Sequence, residues 1–155
     1  MKWLDALTRK IGIPRFLDDH FLRTKIKRMY EAGKAEGFLP TQLAIETVNY
    51  CNARCVMCPH SDMKRRRGIM SLDVHRAVVD KVSEWEAPIS VITHAGLGEP
   101  LIDGTIASKI AYEKRTFKGA EVILFTNGSL LSERKLEELV AAGLDQISVS
   151  LNAFY

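Results

Sequence analysis

Long apolar runs are missing from this chain, and cysteine is scarce. No stretch approaches the ~20 consecutive apolar residues that a membrane-spanning helix needs, so no membrane span is expected. The first ten residues, MKWLDALTRK, lack the uninterrupted apolar centre of a secretory signal. A cytoplasmic protein is therefore expected. Aromatic residues do not interleave with the basic clusters Arg23–Lys25–Lys27–Arg28 and Lys64–Arg65–Arg66–Arg67. The stacking ladder used to bind single strands is thus missing, and nucleic acid is not expected as a partner. Only three cysteines occur, all within eight residues. An odd, bunched set in a chain without a secretion signal argues against a disulfide framework and for metal ligation.

What is present describes an ordinary globular chain with an uneven charge. At 155 residues it can build one compact domain with a real core. Hydrophobic residues at 46% and charged residues at 26% are average values that give no reason to expect disorder. Residues 1–70 hold 14 Lys/Arg against 7 Asp/Glu, whereas residues 71–155 hold 8 against 12. The basic half could face an anionic partner, but a solvated basic face explains it as well.

Hydrophobic periodicity alternates between helix and strand. Residues 16–36 form an amphipathic pattern with Phe21, Met29 and Tyr30 on one side, closed by Gly37 and Pro40. Residues 43–48 (LAIETV) read as a strand that runs straight into the cysteines. Ser71 is a suitable N-cap for a helix to about Trp85, with Val74, Val78, Val79 and Val82 as its apolar stripe. Strands are expected at 89–94, 122–126 and 146–151. Helices are expected near 104–117, opened by Asp103 and stopped at Gly119, and from Ser132 to Ala142, ended by Gly143. Asn127–Gly128 reads as a turn. The order α–β–α–β–α–β–α–β implies an α/β fold with a parallel sheet. It matches the front of a larger barrel-like domain, because the last strand is followed by only four residues and an open parallel edge is a liability.

The chemistry concentrates in Cys51-Asn52-Ala53-Arg54-Cys55-Val56-Met57-Cys58-Pro59. Soft thiolates suit iron–sulfur clusters, and three in one loop can wrap a single cubane corner. A four-iron cluster held by three cysteines keeps one iron open for a ligand. The competing reading is a zinc site with His60 as the fourth ligand. Structural zinc sites usually pair two separate knuckles, and this chain has one.

This C-x3-C-x2-C loop after a first strand resembles the radical S-adenosylmethionine (radical SAM) superfamily, over roughly residues 41–155. The resemblance implies a partial parallel (β/α) barrel of about four β/α units; residues 1–40, before it, read as an N-terminal helical extension. It implies a [4Fe–4S] cluster on Cys51, Cys55 and Cys58, with S-adenosylmethionine chelating the open iron. Reductive cleavage would yield methionine and a 5′-deoxyadenosyl radical that abstracts hydrogen from an unidentified substrate, a peptide or another molecule to be modified. A one-electron donor such as a flavodoxin or ferredoxin is the implied partner. Met57 stands where the family usually places an aromatic residue against the adenine, as a polarisable apolar substitute.

Further segments agree in order. Gly98, Glu99 and Pro100, preceded by Leu97, match the family loop whose backbone receives the amino group of S-adenosylmethionine. Thr126 and Asn127 correspond to a segment found near the cofactor, although a plain turn explains them equally. Ser148, Ser150 and Asn152 form a polar face on the fourth strand, opposite Ile147, Val149 and Leu151. A ligand-lined interior or a solvent-facing edge accounts for that face. By position, Ser150 and Asn152 match residues that bind the ribose and carboxylate of the cofactor. His94 reads as a structural histidine, and Glu46 as a paired carboxylate. The Cys-Asn-x-x-Cys loop and Gly68-Ile69-Met70 resemble the SPASM-type branch, which implies further strands and clusters after Tyr155. A zinc-stabilised binding module and an inactive cluster-binding fragment stay open as alternatives.

Overall fold

The computed structural model describes Thr24, Arg28 and residues 31–33, 39–85 and 87–151. The chain divides into two compact units, Met1–Leu39 and Pro40–Tyr155. In the first, Thr24, Arg28 and residues 31–33 are helical. Phe21, Met29 and Tyr30, assigned above to its buried side, lie outside the described residues, as does Asn152.

Among the described residues the second unit holds four strands, β1 (Gln42–Ile45), β2 (Val91–His94), β3 (Glu121–Thr126) and β4 (Gln146–Val149). Three helices connect them in turn, α1 (Leu72–Ser83), α2 (Ile106–Thr116) and α3 (Glu133–Ala141). The strands pair in sequence order, β1-β2-β3-β4, and every pair is parallel. An unreversed order is what a closing β/α barrel produces, whereas a doubly wound sheet reverses at a switch point. The fold is thus α/β, a partial barrel of four strands.

All three helices pack on one sheet face. Ile45, Ile92, Val122 and Leu124 from the strands join Val79 and Val82 of α1, Ile110 of α2 and Leu139 of α3 in a single core. Ile92, Val122, Leu124 and Leu139 are wholly buried. Along β3 only alternate residues are deeply buried, and Phe125 on the other face is 39% exposed. The run Val122-Ile123-Leu124-Phe125 is nonetheless continuously apolar, as strands covered on both faces are.

Local chemistry sets the helix ends. The Ser71 hydroxyl accepts the Val74 N–H at 3.3 Å, and the Ser132 hydroxyl accepts the Lys135 N–H at 3.3 Å. Asp103 does not open α2 as expected. Its Oδ1 accepts the Thr105 N–H at 2.8 Å and the Thr105 hydroxyl at 2.7 Å, and its Oδ2 pairs with the buried Lys109 ammonium. The carboxylate is therefore committed to the preceding turn, and α2 begins at Ile106. In α1 the stripe is shifted as well. Val74 is 53% exposed and His75 is buried in its place. A polar residue is tolerated there because the Glu113 carboxylate bridges His75 Nε2 at 2.6 Å and His94 Nε2 at 2.9 Å.

β1 and β4 are shorter than expected. β1 ends at Ile45, because Val48 leaves the sheet to bridge Ile69 in the antiparallel sense. β4 ends at Val149, and Leu151 is 83% exposed.

Candidate functional site

The cysteines lie on an excursion whose base is clasped. Beyond β1, the Met70 N–H donates to the Thr47 carbonyl at 2.7 Å, and the Asn49 N–H donates to the Gly68 carbonyl at 3.2 Å. The Asn49 side chain completes the clasp. Its Oδ1 accepts the Gly68 N–H at 2.7 Å, and its Nδ2 donates to the Arg66 carbonyl at 2.8 Å. Thr47 and Val48 are buried, so the clasp is anchored in the fold. Residues 50–67 leave and return through it, bringing the Gly68–Met70 segment back beside β1.

Within the excursion the Cys58 N–H donates to the Cys55 carbonyl at 3.1 Å, making a tight reverse turn. The turn throws Val56 and Met57 outward, at 103% and 62% exposure. Cys51, Cys55 and Cys58 are free thiols, each half-buried. Among the described residues no group of three or more His, Cys, Asp or Glu side chains has the geometry to hold a metal ion.

The glycine loop after β2 packs directly on this excursion. Glu99 N–H donates to the Tyr50 carbonyl at 3.0 Å, immediately before Cys51. Gly98 sits against the Val48 carbonyl, where any side chain would collide. Glu46 braces the same loop, accepting the Leu97 N–H at 2.8 Å through Oε1 and pairing with Arg65 at 2.9 Å through Oε2. Its half-buried carboxylate, just past the end of β1, is thereby paired through both oxygens.

Glu99 is the hub joining this loop to β3. It is 2% exposed. Its Oε1 accepts the Thr126 hydroxyl at 2.6 Å and the Leu101 N–H at 3.0 Å, while Oε2 accepts the Asn127 N–H at 2.8 Å. Three donors converge on one carboxylate, which ties the glycine loop to the end of β3. Pro100 opens a short 3-10 turn, Pro100–Ile102, behind it.

Asn127 then reaches across to the cysteines. Its Nδ2 lies 3.5 Å from Cys51 Sγ and 2.9 Å from Asn52 Oδ1. Gly128 follows at φ 75°, a left-handed turn that glycine adopts without strain. Ser150 is exposed, and its N–H donates to the Thr126 carbonyl at 2.8 Å. The structure therefore brings Cys51, Gly98, Glu99, Thr126 and Asn127 together at the C-terminal ends of β1, β2 and β3, with Ser150 beside Thr126 at the end of β4. Met57 points away into solvent.

Asn52 and Ser129 belong to this cluster and were given no site role from sequence. Asn52 lies inside the cysteine motif, and Ser129 directly follows Thr126-Asn127-Gly128. Those adjacencies were the available signal.

The sequence profile of the Radical SAM superfamily matches residues 45–155. The chain belongs to the radical SAM superfamily. Among curated radical SAM relatives, it is 32% identical over 117 residues to the GTP 3′,8-cyclase of Heliobacterium modesticaldum, covering 71% of this chain and 33% of that protein. It is also 32% identical over 114 residues to the AdoMet-dependent heme synthase of Methanosarcina barkeri, covering 73% of this chain and 31% of that one. The crystal structure of BtrN in complex with AdoMet and 2-DOIA superimposes with a TM-score of 0.65 at 26% identity, over 72% of this chain and 45% of that one. The chain spans about a third of the length of these two curated relatives.

Membership of the radical SAM superfamily implies an iron–sulfur cluster and S-adenosylmethionine. The donor set fits a cluster of this kind. Three soft, unpaired sulfurs share one loop. Cys51 Sγ also receives two N–H groups, from Ala53 at 3.4 Å and from Asn127.

Proposed function

We propose that this chain carries the cluster- and cofactor-binding half of a radical SAM enzyme. In this reading Cys51, Cys55 and Cys58 hold a [4Fe–4S] cluster with one open iron, and residues 1–40 form a separate N-terminal extension. When bound, the cluster supplies the electron that cleaves S-adenosylmethionine to methionine and a 5′-deoxyadenosyl radical, which takes a hydrogen atom from the substrate. A flavodoxin- or ferredoxin-type protein would be the electron source.

The chain's own residues have distinct tasks in this proposal. The Gly98-Glu99-Pro100 loop offers its backbone to the amino group of S-adenosylmethionine. The Glu99 carboxylate is fully engaged by Thr126, Asn127 and Leu101, so its task is to hold two loops in register. Thr126 and Asn127 would border the cofactor, and Met57 would meet the adenine. Ser150 and Asn152 would meet the ribose and carboxylate.

One observation carries the reading. The cysteine excursion, the glycine loop and the end of β3 are hydrogen-bonded to one another at the C-terminal ends of parallel strands. Barrel folds place their active sites at that end. The relatives' printed activities, a cyclase and a heme synthase among them, differ too widely to transfer a substrate.

The test is anaerobic reconstitution of the full chain with iron and sulfide, followed by metal analysis and spectroscopy. About four irons and four sulfides per chain, lost on Cys→Ala substitution at positions 51, 55 or 58, are expected. Reductant and S-adenosylmethionine should then yield 5′-deoxyadenosine. A colourless protein that retains one zinc per chain would mean a zinc-stabilised module instead. A loaded cluster without 5′-deoxyadenosine would mean that this chain alone binds the cluster but does not turn over.

A further inference from the structure

We propose that Asn127 tunes the cluster electronically, through an amide N–H···S hydrogen bond to Cys51, and that Ser129 and Asn52 lock that amide in its donating orientation. The inference rests on the proposed function, since it concerns the Cys51 thiolate as a cluster ligand.

The amide orientation follows from its neighbours. A backbone N–H can only donate, and the Ser129 N–H lies 2.9 Å from Asn127 Oδ1. The carbonyl end is thereby assigned, leaving Nδ2 to face Asn52 and Cys51. A closed ring reinforces the assignment. The Ser129 hydroxyl donates to Asn127 Oδ1 at 2.6 Å, and Asn127 Nδ2 donates to Asn52 Oδ1 at 2.9 Å. Asn52 Nδ2 then donates back to Ser129 Oγ at 2.8 Å. Every donor in the ring meets an acceptor, so reversing the Asn127 amide would set two N–H groups against each other.

The backbone of Asn127 is pinned as firmly as its side chain, through the buried Glu99 carboxylate. The remaining hydrogen on Nδ2 is thus presented to Cys51 Sγ at 3.5 Å from a rigid mount. Hydrogen bonds to ligand sulfurs are one of the levers that set cluster potential. The reduced cluster carries one more negative charge than the oxidised one. An N–H dipole aimed at the ligating sulfur stabilises the reduced form more, and so raises the potential. Ala53 N–H acts in the same sense at 3.4 Å, but it is a backbone group common to any side chain at that position.

The experiment is an anaerobic redox titration of the reconstituted full chain, followed by electron paramagnetic resonance, with iron per chain measured in parallel. At a fixed applied potential, Asn127→Ala should lower the ratio of reduced to oxidised cluster several-fold, a tenfold fall corresponding to about 59 mV for one electron. Asn127→Asp should lower it further, because a carboxylate would then face the thiolate. Ser129→Ala, which keeps Asn127, should give a smaller fall of the same sign. A purely structural role would reduce iron loading and leave the midpoint of the loaded fraction where it is in the unsubstituted chain. That result in Asn127→Ala overturns the inference, as it does in Ser129→Ala if Asn127→Ala holds no iron. Absence of any cluster in the unsubstituted chain overturns the proposed function together with this inference. A normal cluster with unshifted variants overturns this inference alone.

Discussion

A Cβ on Gly98 would stand 1.9 Å from the carbonyl oxygen of Val48. The obstacle is backbone in a buried segment, not the end of a flexible side chain, so it cannot swing aside. The approach lets the glycine loop lie against the root of the cysteine excursion.

Gly98→Ala should therefore force the two loops apart. Overpacking of this kind costs about 1–3 kcal/mol. Gly104→Ala provides the control, since nothing lies within 4 Å of a Cβ there. Urea unfolding of both variants checks the pair. Equal midpoints would show that the loops are not held this close in solution.

Glu99→Gln keeps the shape of the hub and removes one acceptor. All three of its partners are donors, so the new amide N–H must oppose either Asn127 N–H or the Thr126 and Leu101 pair. A loss of about 1–3 kcal/mol is expected from the unsatisfied buried groups. Iron content after reconstitution should fall with it, because the glycine loop and the loop after β3 lose their common tie. Retention of full stability and full iron loading would remove Glu99 from that role.

The buried Glu113 makes stability depend on acid. Burial pushes its carboxyl up, but hydrogen bonds from His75 and His94 outweigh this and hold it below its ordinary value of 4.5. The folded state thus binds this proton more weakly than the unfolded one. Its contribution is present above the ordinary value and is lost as pH falls through the lowered one. Asp145 adds to the same trend, since Lys114 and the Val122 N–H outweigh its burial. The urea midpoint should hold from about pH 7 to pH 5 and fall below that. Glu113→Gln should flatten the fall, and an unchanged slope would assign it to other carboxylates.

Glu113→Ala tests the bridge itself. It leaves two imidazole N–H groups, both wholly buried, without their acceptor. Removing one member of a buried charged network costs about 3–5 kcal/mol. Thermal or urea unfolding measures the loss. A cost below about 1 kcal/mol would show that water or a rearranged side chain replaces the carboxylate.

Much of the architecture could be read from residue order. Alternating strands and helices, β-branched runs and serine caps located all four strands and the helices that connect them. The errors fell where tertiary partners outweighed local pattern. Val74 fits the apolar stripe of α1 better than His75, yet His75 is buried because Glu113 arrives from a different helix. Asp103 has the composition of a cap, but a buried lysine six positions later recruits it to a turn. The strand over 43–48 was cut short because Thr47–Asn49 finds its partner at Gly68–Met70, a pairing that periodicity cannot register.

The sequence by itself supplied the candidate donor set, because three soft sulfurs fall in one loop with none elsewhere. It also pointed to the sheet type, since parallel pairing needs connections of helix length and each strand is joined to the next by one. Tertiary structure decided which residues meet. Cys51 and Asn127 are far apart in the chain, and only the parallel register of β1, β2 and β3 sets their loops side by side. The tie between those loops is Glu99, a carboxylate whose role depends on three donors that local sequence does not reveal. Hydrogen bonds act over about 3 Å, so such contacts are fixed by the fold and not by spacing along the chain.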